Sequence, residues 1–318
     1  MCRPCSCPHK LELNMNAAPK KETTASVGPA FVAGICALLL WSGTPIANKI
    51  AVRTMDAGSA GILRSLLAGL CALLLALLLR LPFPKSGHER KLLFVSGFTS
   101  FALWPMLLSL GIGRTTAGHA GLLLALIPIF TVIIAALVDR KPPNRKWWIG
   151  AALAFGGSIG LMVGRGQTID GIDGASLIGD LIIVAGTMTC AVGYVAGGKL
   201  SPRLGTYATT FWGLAVALVL LVPAFFLLQD RTDWSAVPRG GWLAIGWMSF
   251  FSSLAGYGLW FFALGRGGIG RIGSLQLAMP VVTLSAAVLV LGEPVSGKLL
   301  FSGAAVVTGT FFAQRQLG

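Results

Sequence analysis

The sequence predicts an all-α integral membrane protein of ten transmembrane helices, arranged as two inverted five-helix repeats. Three observations predict it. Hydrophobic residues make up 55% of the chain and charged residues 11%, against about 25% charged in a soluble domain. Apolar runs recur at close to the ~20 residues that cross a hydrocarbon core about 30 Å thick. The chain also repeats itself. Gly113 to Pro142 reads GRTTAGHAGLLLALIPIFTVIIAALVDRKP, and 152 residues later Gly265 to Pro294 reads GRGGIGRIGSLQLAMPVVTLSAAVLVLGEP. Eleven of the thirty positions are identical without a gap, among them Gly118/Gly270, Gly121/Gly273, Pro128/Pro280 and Thr131/Thr283. Gly-Ala-Ala-x-x-x-Gly follows each copy, at Gly150 to Gly156 and Gly303 to Gly309. A repeat of this length marks a tandem duplication. Strands are the weaker reading, because the runs lack the period-2 polar alternation of a membrane barrel and are rich in Leu and Ala.

The spans follow in order. The first repeat, 27–164, holds spans at 27–50, 57–79, 92–112, 115–138 and 147–164. The second, 177–314, holds spans at 177–198, 207–228, 242–264, 268–291 and 299–314. Residues 1–26 are polar and are expected to form a disordered cytoplasmic tail. Cys2, Cys5, Cys7 and His9 have metal-ligand spacing there, but the tail is read as inert and no metal or cofactor is expected. Cys36, Cys71 and Cys190 stand alone in apolar spans, as packing residues. Links are short except 165–176, which joins the halves.

Lys and Arg set the orientation. With the N-terminus in the cytoplasm, seventeen fall inside and six outside, while Lys49 and Arg64 lie within spans. An even span count returns the C-terminus to the cytoplasm. This one-sided distribution explains the net charge of +14, so nucleic acid is not an expected partner. An odd count per repeat inserts the second copy upside down. Inverted repeats around a midplane site are a recurrent way to build alternating access, which makes a transporter the expected class.

Trp41-Ser-Gly43 followed by Lys49, Arg64 in span 2, the Gly118-to-Pro128 run, Gly179-Asp180 opening span 6, Lys199 closing it, and Pro280 before Leu291-Gly292-Glu293-Pro294 together carry a resemblance. Over residues 27–314 the chain resembles the ten-span EamA-like group of the drug/metabolite transporter superfamily. One departure stands out: Lys141 occupies the first-half position matching Glu293, where the family often has an acid. The resemblance implies export of small metabolites across the bacterial inner membrane. It also implies a central cavity lined mainly by spans 1, 3, 4, 6, 8 and 9.

Counting 1.5 Å per residue puts Trp41, Trp104, Tyr257 and Gln276 near mid-membrane, where each polar tip needs a partner. These four, with Asn48, Arg64, His119 and Tyr194, are the candidate substrate-binding residues. Arg64 is the costliest, and snorkelling to the outer surface beside Asp56 is its blander reading. Lys49 and Lys199 are read as interfacial anchors, and Trp147, Trp148, Trp234 and Trp242 as headgroup tryptophans. No Asp or Glu is expected deep inside a span. That leaves His119, with its ordinary pKa near neutrality, as the proton-coupling candidate. Pro128 and Pro280 are expected to kink spans 4 and 9 at equivalent places. Gly156, Gly160 and Gly164, and likewise Gly193 and Gly197, form small-residue faces. Packing within the monomer is favoured over a homodimer, which stays open.

An enzyme is not expected, since no HExxH pair, paired intramembrane Asp residues or P-loop is present. The partners expected are a small-molecule substrate and the lipid bilayer. Aromatic residues favour amino acids, aromatic metabolites or organic cations over sugars as substrate, and Arg64 and Lys49 leave room for an anionic group. The alternative is a non-transporting membrane scaffold or a lipid scramblase of the same fold.

Overall fold

A backbone in hydrocarbon has no water to bond, so each span must satisfy its own N–H and C=O groups, which favours helix throughout. The computed structural model describes residues 27–163, 176–267, 272 and 274–316, and among these every regular element is helical. In order they are α1 (Val27–Ser42), α2 (Thr44–Val52), α3 (Ala57–Leu78), α4 (Gly87–Ser96), a π-helical segment (Gly97–Leu103) and α5 (Trp104–Ile112). Next come α6 (Ala117–Leu124), α7 (Ile127–Asp139), α8 (Arg145–Val163), α9 (Leu177–Leu204) and α10 (Thr206–Leu228). The remainder is α11 (Arg239–Gly246), a second π-helical segment (Trp247–Ala255), α12 (Gly256–Gly267), a 3₁₀ turn (Ser274–Ala278), α13 (Met279–Leu291) and α14 (Gly297–Arg315).

Seven helical runs among the described residues are long and apolar enough to cross a membrane: Gly28–Val52, Ala57–Leu78, Gly87–Ile112, Ala117–Asp139, Arg145–Val163, Leu177–Leu204 and Thr206–Arg231. They coincide with the first seven expected spans. The positions of the last three are occupied by α11 running through the π segment into α12, by the shorter apolar α13, and by α14. The expected tail 1–26 and most of the link between the halves lie outside the described residues.

Local sequence sets the helix starts. Asp56, Thr116, Ser176 and Ser296 each accept the amide three residues on, from Ser59, His119, Gly179 and Leu299, in the manner of N-caps. Ser86 and Glu89 form a reciprocal capping box at α4. The ends of α7 and α13 are repeat partners as well. Arg140 (φ 53°) and Gly292 (φ 67°) both cap in the left-handed region, which glycine adopts freely and arginine at a cost.

The two halves interrupt their regular helices at matching places. Pro128 stands second in α7, after α6 ends and the Ala125 and Leu126 amides reach back only three residues. Pro280 stands second in α13, after the 3₁₀ turn. A proline at the first turn sacrifices no helical bond. The two π segments, in expected spans 3 and 8, are also counterparts: shifting Gly97–Leu103 by the repeat offset gives 249–255, inside Trp247–Ala255.

Packing follows small residues. The contact of α8 with α14 is the most extensive between two helices, followed by α3 with α10, α1 with α12, and α5 with α9. A Cβ on Gly150 would lie 2.5 Å from the Ala313 nitrogen and 2.7 Å from the Gly309 carbonyl oxygen. The two Gly-Ala-Ala-x-x-x-Gly copies therefore cross backbone against backbone. This corrects the expected face of span 5 in part. Gly160 meets Ser302 of α14, as Gly150 and Gly157 also meet α14, whereas Gly156 has nothing within 4 Å of a built Cβ; Gly164 lies outside the described residues. Gly193 and Gly197 pack against Ser100 and Ser96 of the same chain. Leu78, Leu227, Leu289 and Phe301 point outward with 77–84% exposure, as side chains facing lipid do.

Three expectations at the membrane surface change. Trp147 is fully buried rather than at the headgroups, while Trp148 and Trp242 are exposed. Lys49 is 1% exposed and is no interfacial anchor. Arg64 does not snorkel beside Asp56: it is 6% exposed, and Asp56 instead caps α3.

Because backbone atoms at the α8–α14 crossing have no freedom to move aside, Gly150→Val is expected to cost about 1–3 kcal/mol or more. Gly156→Ala should stay within about 0.5 kcal/mol. Thermal unfolding of the two variants in detergent checks this.

Candidate functional site

The two π segments and the proline breaks surround one cavity of about 860 Å³. In a π turn an amide bonds five residues back, so one carbonyl loses its usual partner. Here the Gly256 amide bonds to the Phe251 oxygen. The Ser252 carbonyl is left to accept Trp41 Nε1 at 2.9 Å, and the Ser252 hydroxyl pairs with Thr44 Oγ1 at 2.7 Å. A Cβ on Gly256 would fall 2.6 Å from Trp41 Nε1, so this position has to be glycine. Trp41 then packs edge-on to Tyr257, with ring centroids 5.3 Å apart, and Tyr257 edge-on to Phe101 at 5.8 Å.

Of the eight residues expected to bind substrate, six line this cavity: Trp41, Arg64, Trp104, Tyr194, Tyr257 and Gln276. Pro128 and Pro280 line it too. Asn48 and His119 do not. Asn48 is fully buried in α2, and neither its amide nitrogen nor its amide oxygen has a hydrogen-bond partner.

His119 belongs to a separate buried network. Its Nδ1 lies 3.1 Å from Asp180 Oδ2, and Thr115 Oγ1 donates to Asp180 Oδ1 at 2.6 Å. Lys49 Nζ donates to the carbonyls of Ile112 and Thr115 at 3.3 and 2.9 Å. Asp180, only the fourth residue of α9, is completely buried. Its place near a span end hid this carboxylate from sequence reasoning; the Gly179-Asp180 pair was the one available signal.

Beside the network, Glu293 closes onto the start of α6. Its two carboxylate oxygens accept the amides of Ala117 and Gly118 at 2.7 and 2.8 Å, where the helix dipole favours a negative charge. This end of the bundle is thereby stitched across α2, α6, α9 and the second residue after α13, Glu293. The cavity extends the other way. It reaches Trp147, Phe311, Gln314 and Arg315, at the end where Asn144 Nδ2 bonds to the Gln316 carbonyl and Lys199 pairs with Asp139. The arrangement provides a chamber with an aromatic and hydroxyl-bearing inner wall, which reaches Arg315 at the end away from the Glu293 contacts. No metal-binding cluster of His, Cys, Asp and Glu occurs among the described residues.

The profile of the EamA-like transporter family matches residues 28–163 and 177–314. The chain is 32% identical to a Bacillus subtilis protein named "Uncharacterized transporter YdeK", over 90% of this chain and 96% of that one. Proteins named "Probable amino-acid metabolite efflux pump" are each 27% identical, over 61% of this chain and 66% of theirs, in Salmonella typhimurium and Escherichia coli. A solved structure titled "Crystal structure of protein" superposes with a TM-score of 0.60 at 20% identity, covering 91% of this chain and 97% of that one. It supports the fold.

Glu293→Ala removes both acceptors from the α6 amides and is expected to destabilise the fold by about 1–2 kcal/mol. Glu293→Gln, which keeps one acceptor oxygen, should lose less. Unfolding midpoints in detergent measure the difference.

Proposed function

The chain belongs to the EamA-like transporter family, and on that premise we propose that it is a secondary active carrier exporting small metabolites across the inner membrane by alternating access. It is a multi-pass membrane transporter rather than an enzyme, like the relatives it matches. In this reading the ten spans form two inverted repeats, 27–164 and 177–314, with both termini in the cytoplasm. Substrate sits against Trp41, Arg64, Trp104, Tyr194, Tyr257 and Gln276, with Asn48 and His119 behind that wall.

The observation that carries the reading is the one-sidedness of the chamber. Its inner wall lies among helices that break at Pro128 and Pro280, and in this reading the Glu293 contacts close one end. A carrier must exchange that seal for one at the opposite end. The helices that swing are α7 and α13, hinged at their proline breaks. Export, and amino acids or related compounds as cargo, draw support from the two relatives named as amino-acid metabolite efflux pumps. The aromatic wall suits such molecules.

Proton drive is assigned to His119 together with Asp180. Thr115 bonds the same carboxylate, and Lys49 bonds the neighbouring carbonyls. Counterflow in proteoliposomes tests both parts, using amino acids, nucleosides, organic cations and organic anions with and without a pH gradient. The expected result is saturable exchange of amino acids, with accumulation driven by the gradient. His119→Gln and Asp180→Asn should each abolish gradient-driven accumulation while retaining exchange. Unchanged proton-driven transport in His119→Gln would end its coupling role. No exchange by well-folded protein would replace the carrier with a scaffold or scramblase.

A further inference from the structure

We propose that Arg64 is the receptor for an acidic group on the cargo, so that the carried molecules are carboxylates with an apolar or aromatic remainder. The inference rests on the carrier reading above and names its substrate class. Arg64 is 94% buried by its 6% exposure, lies on the cavity wall, and has two donors, Nε and Nη1, without a hydrogen-bond partner. No carboxylate among the described residues forms an ion pair with it. A guanidinium stays ionised in proteins. Holding one inside a membrane without a counter-charge is costly, and such residues mark a ligand path or face a polar cavity.

Among the described residues, the cavity wall contains two cations, Arg64 and Arg315, and no Asp or Glu. Organic cations would therefore meet repulsion with nothing to offset it. Arg315 stands at the far end of the chamber, over the Phe311 ring, which leaves Arg64 as the charge at the inner wall. One guanidinium suits a monoanion, and its planar fork matches a carboxylate. Around it Trp41, Phe101 and Tyr257 form an aromatic cluster for the rest of the molecule.

Binding to the purified full chain in detergent tests the proposal, read by quenching of tryptophan fluorescence. The probes are L-phenylalanine, 3-phenylpropionate, 3-phenylpropanamide, phenethylamine and phenyl phosphate. The acids are expected to bind at least about tenfold more tightly than the amide, the usual scale for a charge-assisted hydrogen bond, and more tightly than phenyl phosphate. Arg64→Gln should remove that preference, and Arg64→Lys should keep part of it. A ligand-free readout accompanies the titrations. An uncompensated buried cation predicts that Arg64→Gln unfolds at the same temperature as the parent or higher.

The proposal is overturned if the amide or amine binds as tightly as the acids, if phosphate binds best, or if no acid binds. It is also overturned if Arg64→Gln keeps the acid preference, or unfolds several degrees earlier without ligand. Counterflow separates this failure from that of the carrier reading. Exchange of amines or neutral solutes would sink the carboxylate receptor and leave a carrier.

Discussion

A backbone carbonyl that loses its helical partner inside a membrane has to find another donor from the protein, and this requirement organises the centre of the molecule. The breaks and π turns that shape the chamber each free backbone groups. Side chains from distant helices take up some of them: Trp41 donates to Ser252, Thr310 to Ala125 and Thr283 to Ser42. Ser42 to Met279 and Ser100 to Cys190 are further cross-helix bonds, to carbonyls inside regular helices. The irregular backbone and the polar residues around it thus form one arrangement, concentrated where the chamber lies.

The two halves are similar in sequence yet differ where Glu293 stands. Glu293 accepts two amides at the start of α6. Its counterpart in the first repeat is Lys141, which has no acceptor to offer a helix N-terminus. The end of the bundle near Lys141 is held by exposed or half-exposed groups, the Lys199–Asp139 pair and the Asn144–Gln316 bond. Water competes for such contacts and weakens them. The buried Lys49 and Asp180 contacts at the opposite end escape much of that competition, and Glu293 there is half-buried.

Much of this was legible in the residues. The helical fold, the first seven spans and the paired breaks at Pro128 and Pro280 follow from apolar runs, repeat matching and proline geometry, all short-range properties. Four cavity-lining residues, Trp41, Trp104, Tyr257 and Gln276, were found by depth counting, because rise per residue converts sequence position to depth. Arg64 and Tyr194 came from polar side chains within or closing spans, and the same signal failed for His119 and Asn48, which do not line the chamber. Facing depends on the helix's rotation about its axis, which neighbouring helices fix. The π segments went unread because a π turn is chosen by packing and has no fixed residue signature.

By itself, then, the sequence determined what is set by solvent and by local stereochemistry: a helical membrane protein, duplicated, with marked break points and glycine faces. The tertiary structure decided which groups meet. It brought Asp180 to His119 across 61 residues of chain, laid Gly150 on α14 instead of Gly156, and took Lys49 from the interface into the interior. It also left Arg64 on a cavity wall with two donors unmatched. Charge and burial at such places depend on contacts between residues far apart in the chain, and no local pattern encodes those.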